Sequence, residues 1–224
     1  MVRMRLLEKV DRFNAAHPWD HNAHYHAWIL RQLPARFSRA LDVGCGSGDL
    51  ARLLARRADE VLAVDQDPSI VEHARSLSSH RTNIDVVAAD ITEVELPGDH
   101  DVITCVATLH HLPFTATLRR FRRALAPGGT LVVLGVYREQ TAGDRLLSAA
   151  AAPTNLVVGW LKTRARRRRG ETGRPASMTA STKPASMTFT EITAQARAVL
   201  PGAVLRRHLF WRYSLVYRAP SVAR

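Results

Sequence analysis

Ten residues, Leu41-Asp42-Val43-Gly44-Cys45-Gly46-Ser47-Gly48-Asp49-Leu50, set glycines at alternate positions between an apolar run and the first leucines of a helical pattern. The order is strand, tight turn, helix. Glycine admits positive φ and lets a ligand lie against bare backbone. The helix start turns free N–H groups and a partial positive charge toward that ligand. The spacing is G-x-G-x-G with Asp42 two residues ahead, not the G-x-G-x-x-G of dinucleotide folds. A second apolar run begins at Glu60 and ends in Asp65. A carboxylate placed about 20 residues past the glycines accepts hydrogen bonds from both hydroxyls of a ribose and repels a 2′-phosphate. Asp67 stands just before Pro68 and is the better N-cap for the helix that follows, which leaves Asp65 for a ligand.

Later stretches complete the pattern. Asp90-Ile91 follows a third apolar run, residues 101–112 carry a fourth into His110-His111-Leu112, and Leu125-Ala126-Pro127-Gly128-Gly129-Thr130-Leu131 opens a fifth. In this combination and order the chain resembles the class I S-adenosylmethionine-dependent methyltransferases, specifically their small type 11 branch, over about residues 20–140. The resemblance implies S-adenosyl-L-methionine as cofactor, held by Asp42, Gly44, Cys45, Gly46, Gly48, Asp65, Gln66, Val106 and Ala107. It further implies that Asp90 accepts from the adenine amine while Ile91 packs on the ring, since an amine donor needs an acceptor and a flat apolar ring an apolar wall. His110 and His111 fall near the reacting end, where a neutral imidazole could take a proton from the acceptor; in the family such histidines more often shape the loop.

The elements that must position these residues are readable in outline. Residues 1–16 read as a helix with Leu6, Leu7, Val10 and Phe13 on one face, and a second helix runs from about Asn22 to Gln32. Four histidines, His17, His21, His24 and His26, crowd this region without a metal-ligand pattern, so no metal site is expected. His21, Tyr25 and Trp28 recur at i, i+4, i+7; they are either helix packing or a face over the ligand mouth. Because N-terminal helices cover the cofactor in the family resembled, Tyr25 is the expected polar contact to the methionine carboxylate. Helices are expected over residues 69–77, with Ile70, Ala74 and Leu77 inward, over 115–125 with four arginines outward, and over 188–200 capped by Thr188 or Thr190. Pro127-Gly128-Gly129 reads as a turn, and residues 203–208 and 212–218 as an antiparallel edge hairpin.

At 224 residues the chain is one domain's worth, and its 46% hydrophobic content is ordinary for a globular protein. Nothing at the start resembles a signal peptide, and two cysteines, Cys45 and Cys105, fit a reducing compartment, so a cytoplasmic location is expected. The net charge of +12 is confined to the end. Residues 1–160 hold 18 basic and 18 acidic residues, whereas 161–224 hold 14 and 2. Residues 146–161 are apolar, interrupted by Pro153, and too short for a membrane span. Lys162, Arg164, Arg166, Arg167, Arg168 and Arg169 follow, expected as a solvated loop that could also meet RNA phosphates or an acidic membrane surface. The pentapeptide Pro-Ala-Ser-Met-Thr occurs at 175–179 and again at 184–188, which reads as a lengthened linker.

The expected architecture is therefore α/β, a Rossmann-like doubly wound sheet of seven strands, mostly parallel with a reversed C-terminal strand and helices on both faces. Its parts are a helical cap over the cofactor and substrate mouth (1–36), a cofactor-binding core (37–140), a variable helix with a basic Ser/Thr/Pro-rich loop (141–188), and a helix with an edge hairpin (189–224). The expected reaction is methyl transfer to an O, N or C nucleophile of a small-molecule acceptor. RNA methylation through the basic region and a non-catalytic binder on the same fold are the alternatives.

Overall fold

The computed structural model describes residues 19–96, 98–168, 170 and 184–221. The helix expected over 1–16, His17, Arg169 and the first pentapeptide copy lie outside them. The chain runs α1 (His21–His24), α2 (His26–Gln32), β1 (Phe37–Val43), α3 (Asp49–Leu54), β2 (Ala58–Asp65), α4 (Pro68–Ser78), β3 (Ile84–Ala88) and β4 (His100–Val106). A 3-10 turn (Leu109–His111) leads to α5 (Phe114–Ala124), β5 (Leu125–Val136), α6 (Ala142–Arg168), α7 (Phe189–Val199), β6 (Val204–His208) and β7 (Arg212–Arg218).

The sheet has the order β3-β2-β1-β4-β5-β7-β6. Strands β1 to β5 pair in parallel, and β7 runs antiparallel to both β5 and β6. Parallel strands covered on both faces need continuous apolar runs, and β4 and β5 carry them. One core packs α2 through Ile29, α3 through Leu50 and Leu54, and α4 through Val71 and Ala74. The other packs α5 through Leu118 and Phe121, and α7 through Ile192 and Ala196. Strand order reverses between β1 and β4, and Val43 pairs with both Val64 and Cys105, so the glycine turn, Asp65 and Val106 emerge at one level. Ligands of open α/β sheets bind in that crevice.

Several local expectations change. The second helix is two pieces joined at Tyr25, with Asp20 Oδ1 accepting from the Asn22 and Ala23 N–H groups. In α4, Val71, Ala74 and Ser78 face inward while Leu77 is 41% exposed. Pro127-Gly128-Gly129 belongs to β5, where the pairing with β4 shifts register. Helix α6 continues through Pro153 and carries the basic residues as far as Arg168, so that stretch is helix, not loop. Pro153 itself is exposed, and its missing N–H removes one hydrogen bond from the helix ladder. The second pentapeptide copy is structural. The Met187 carbonyl accepts from the Arg138 N–H at 2.8 Å, and Thr188 with Glu191 forms a capping box on α7.

The β6–β7 turn holds two bulky residues at positive φ, Phe210 and Trp211, both at 59°. Such geometry costs about 1–2 kcal/mol per residue. Burial of Phe210, 2% exposed and edge-on to Trp19 at 5.0 Å, offsets it.

Candidate functional site

The glycine turn and the acid after it form one hydrogen-bonded unit. Gly44 and Cys45 donate to the Val64 carbonyl at 2.8 and 3.1 Å, and Gly48 donates to Cys45 O at 2.9 Å. Asp65 Oδ2 accepts from Gly46 N at 3.0 Å, and its Oδ1 accepts from Asp67 N at 3.1 Å. Gly44, Gly46 and Gly48 all have positive φ, but their surroundings differ. A Cβ on Gly44 would land 1.9 Å from Thr108 Oγ1, whereas one on Gly46 would meet nothing within 4 Å. Gly44 thus lets the β1 turn and the β4 loop touch, and Gly46 leaves bare backbone beside open space, a cradle that fits a nucleoside. Helix α3 is only six residues long, so hydrogen bonding to the turn backbone counts here more than a macrodipole.

Beneath the turn Asp42 is 2% exposed. Its Oδ1 accepts from the Thr104 hydroxyl at 2.7 Å, and Oδ2 is a buried oxygen without a hydrogen bond. Burial pushes its pKa up to about 7, the Asp65 charge adding to the rise and the Thr104 hydroxyl opposing it. Cys45 and Cys105 are both free and buried; burial raises both thiols, Cys105 to about 12, which keeps them protonated and inert.

At the end of β4, Val106 and Ala107 are half-buried, and Ala107 has φ 52°, its N–H tied to the Leu134 carbonyl at 2.7 Å. Backbone strain of this kind gathers at functional sites. Asp90 uses Oδ1 for the Thr92 N–H and hydroxyl, which hold its pKa below the usual range and leave Oδ2 for another donor. Gln66 is exposed beside Asp65. Ile91 is 5% exposed and packs in the core with α5, so little of it is left to face an adenine ring.

Tyr25, expected to reach a methionine carboxylate, makes a hydrogen bond within the fold. Its hydroxyl, a single donor, is given to the Leu209 carbonyl at 2.8 Å. The rest of its stripe is likewise engaged. His21 Nε2 meets Asn155 Oδ1 at 2.8 Å, and the Trp28 ring lies 5.2 Å from that of His208. The stripe therefore ties the N-terminal helices to the β6–β7 turn and to α6. Among the described residues no group of three His, Cys, Asp or Glu side chains could hold a metal ion.

Next to the β4 loop lies a cavity of about 450 Å³. Its walls are largely apolar, with Leu112, Phe114, Val136, Met187 and Ile192 among them. His110 lines it, and His111, with its ring 4.0 Å from that of His110, is exposed and does not. Tyr213 also lines it, 2% exposed, and its hydroxyl makes no hydrogen bond to any described residue. Gly135 pairs with Tyr213 across β5 and β7, and a Cβ there would lie 2.4 Å from the tyrosine ring. The ring thus occupies the space that Gly135 leaves. Burial raises the phenol pKa, so it stays a neutral donor and acceptor. Sequence reasoning missed Tyr213 and Met187. The signal for the first was Gly135, a glycine inside the apolar run of residues 131–136, which marks close approach of another group.

A protein-family model for a methyltransferase domain matches residues 40–129. An uncharacterised methyltransferase of Mycobacterium bovis is 35% identical over 208 residues, 91% of this chain and 98% of that protein. A ubiquinone biosynthesis O-methyltransferase of Xanthomonas campestris is 38% identical over 109 residues, spanning 47% of this chain and 46% of its own length. Among solved structures, the N-methyltransferase NodS of Bradyrhizobium japonicum in complex with S-adenosyl-L-homocysteine superposes with a TM-score of 0.59 at 19% identity, covering 96% of this chain and 98% of that one. The last match speaks for the fold alone. A glycine turn roped to the acid of the next strand, at the switch point of a seven-stranded sheet with one reversed strand, and a relative alike along nearly its whole length lead to one conclusion: the chain belongs to the class I S-adenosylmethionine-dependent methyltransferases, an enzyme family whose cofactor is S-adenosylmethionine.

Proposed function

We propose that the enzyme methylates a hydroxyl on a small, mostly apolar acceptor. The observation that carries this reading is the cavity beside the β4 loop, apolar over most of its lining, with His110, Thr115, Ser186, Gln195 and Tyr213 as its polar side chains. A pocket of about this size takes a molecule of one or two rings. The O-methyltransferase likeness, which spans 47% of the chain, favours oxygen as the accepting atom.

The residues divide the work. Gly46 and its neighbours would lie along the nucleoside, Asp65 would hold the ribose hydroxyls, and Asp90 would take the adenine amine through Oδ2. S-adenosylmethionine held there would supply a methyl group already activated on a sulfonium, able to pass to an oxygen while the sulfur keeps the bonding electron pair. The chain must align the acceptor oxygen with the sulfur–methyl axis and exclude water. Tyr213 would hydrogen-bond the acceptor and fix its angle. His110 would take the hydroxyl proton, which matters most for an acceptor of high pKa.

The test is a panel of phenols and aliphatic alcohols incubated with methyl-labelled cofactor, products being identified by mass. Tyr213→Phe should raise KM for the methylated acceptor about tenfold with cofactor affinity unchanged, consistent with loss of one buried hydrogen bond. His110→Ala should lower kcat and flatten its rise with pH. Transfer of label to RNA in place of every small acceptor would overturn the reading.

A further inference from the structure

Helix α6 has a built-in inside and outside. Ala151, Asn155, Gly159 and Thr163 recur every fourth residue and are buried. Asn155 Oδ1 accepts from Trp19 Nε1 at 2.9 Å, which fixes the helix's rotation. On the other side Val157, Trp160 and Leu161 are 58, 45 and 52% exposed, half of all the large apolar side chains exposed among the described residues. Lys162, Arg164, Arg167 and Arg168 are exposed just beyond them, and Arg164 lies over the Trp160 ring at 5.6 Å. From Arg145 to Gly170 the sequence contains no acid, so nothing along this stretch neutralises the charge.

We propose that this face of α6 docks on an anionic membrane surface. An apolar patch with a tryptophan, continued by a cluster of cations, matches the boundary between acyl chains and charged headgroups. Val157 and Leu161 leave water there while the arginines meet phosphates. An RNA backbone would satisfy the arginines but leave Val157 and Leu161 in water, so it fits half of the patch. No helix among the described residues is long and apolar enough to cross a membrane, so the contact lies in the interfacial plane. It does not depend on which acceptor is methylated, although it would bring the cavity close to acceptors dissolved in a bilayer.

The experiment is sedimentation of the full-length chain with vesicles of phosphatidylcholine alone or containing phosphatidylglycerol, and filter retention of a mixed-sequence RNA as the competing partner. Binding should require phosphatidylglycerol, weaken with salt, and fall about fivefold for each of Arg164→Ser, Arg167→Ser and Arg168→Ser. Trp160→Glu with Leu161→Glu should abolish it, while cofactor affinity, as a check on folding, stays unchanged. Trp160→Phe should still sediment but lose most of the blue shift in tryptophan emission. Failure to sediment, binding that survives Trp160→Glu with Leu161→Glu, or retention of RNA with vesicles ignored would each overturn the proposal.

Discussion

The Gly46 N–H donates to Asp65 Oδ2 at 3.0 Å, so the turn after β1 and the acid ending β2 cannot move apart without breaking a charge-assisted bond. Because Asp65 also accepts from Asp67 N, Asp65→Ala should lose both the proposed ribose contact and an anchor of the turn. The expected result is at least a tenfold fall in S-adenosylmethionine affinity by calorimetry, on the scale of about 1.5–3 kcal/mol for a charged hydrogen bond. Asp65→Asn, which keeps one acceptor oxygen, should fold normally and still bind weakly. Unchanged affinity in both variants would remove this residue from the site.

Two glycines in the same turn should respond oppositely to one added methyl group. Gly44→Ala places a Cβ inside Thr108 at a φ of 68°, and should cost about 3 kcal/mol or more of stability. Gly46→Ala meets open space, so only its φ of 52° is penalised, by about 1 kcal/mol. Its larger effect should be on cofactor affinity, since the methyl group fills the cradle. Urea unfolding and calorimetry on both variants separate the two effects; equal stability losses would contradict the packing described.

Ala107 should invert the usual preferences of a strand end. Valine favours strands, yet Ala107→Val should destabilise by about 2 kcal/mol because a branched side chain tolerates φ 52° poorly. Ala107→Gly should stay within about 1 kcal/mol of the parent, relief of strain being offset by the entropy of the freer unfolded chain. Thermal melts suffice to read the order, and a valine variant as stable as the glycine one would contradict it.

Asp42 should make the protein less stable as pH rises. Its folded pKa is about 7, against about 4 in an unfolded chain. Between those values the folded state holds a proton that the unfolded state has released, so stability falls as pH climbs from about 4 to 7 and stays lower above that. Asp42→Asn should come nearest the parent at about pH 4 and exceed it near pH 8, by on the order of 2–4 kcal/mol. Burial depresses His21, His24, His26, His100 and His208, which lose stability as pH falls below about 6.5. They do so alike in both proteins, and the difference in urea midpoints isolates Asp42. Coincident midpoints near pH 8 would mean that it is not buried as an acid.

The sheet and the glycine turn were legible because local rules decide them: strands buried on both faces are apolar runs, and a chain passing from strand to helix beneath a ligand needs glycine. Asp67 as the cap of α4 and Thr188 as the cap of α7 were legible for the same reason. What was missed depends on groups distant in sequence. Tyr25 gives its hydroxyl to Leu209, 184 residues away. The second pentapeptide copy looked like linker because nothing local reveals that Met187 walls a cavity. The positive φ of Ala107, Phe210 and Trp211 is imposed by neighbours, against each residue's own preference.

The place of β7 has a consequence for synthesis. It lies between β5 and β6 although it follows both in the chain. A nascent polypeptide stopped before Arg212 has already delivered Asp42, Asp65, Asp90 and His110, yet residues 130–136 present a bare hydrogen-bonding edge. Such an edge invites pairing with other chains. Ribosomes stalled before β7 is made would therefore release sticky fragments, and it is β7 that seals the edge of β5.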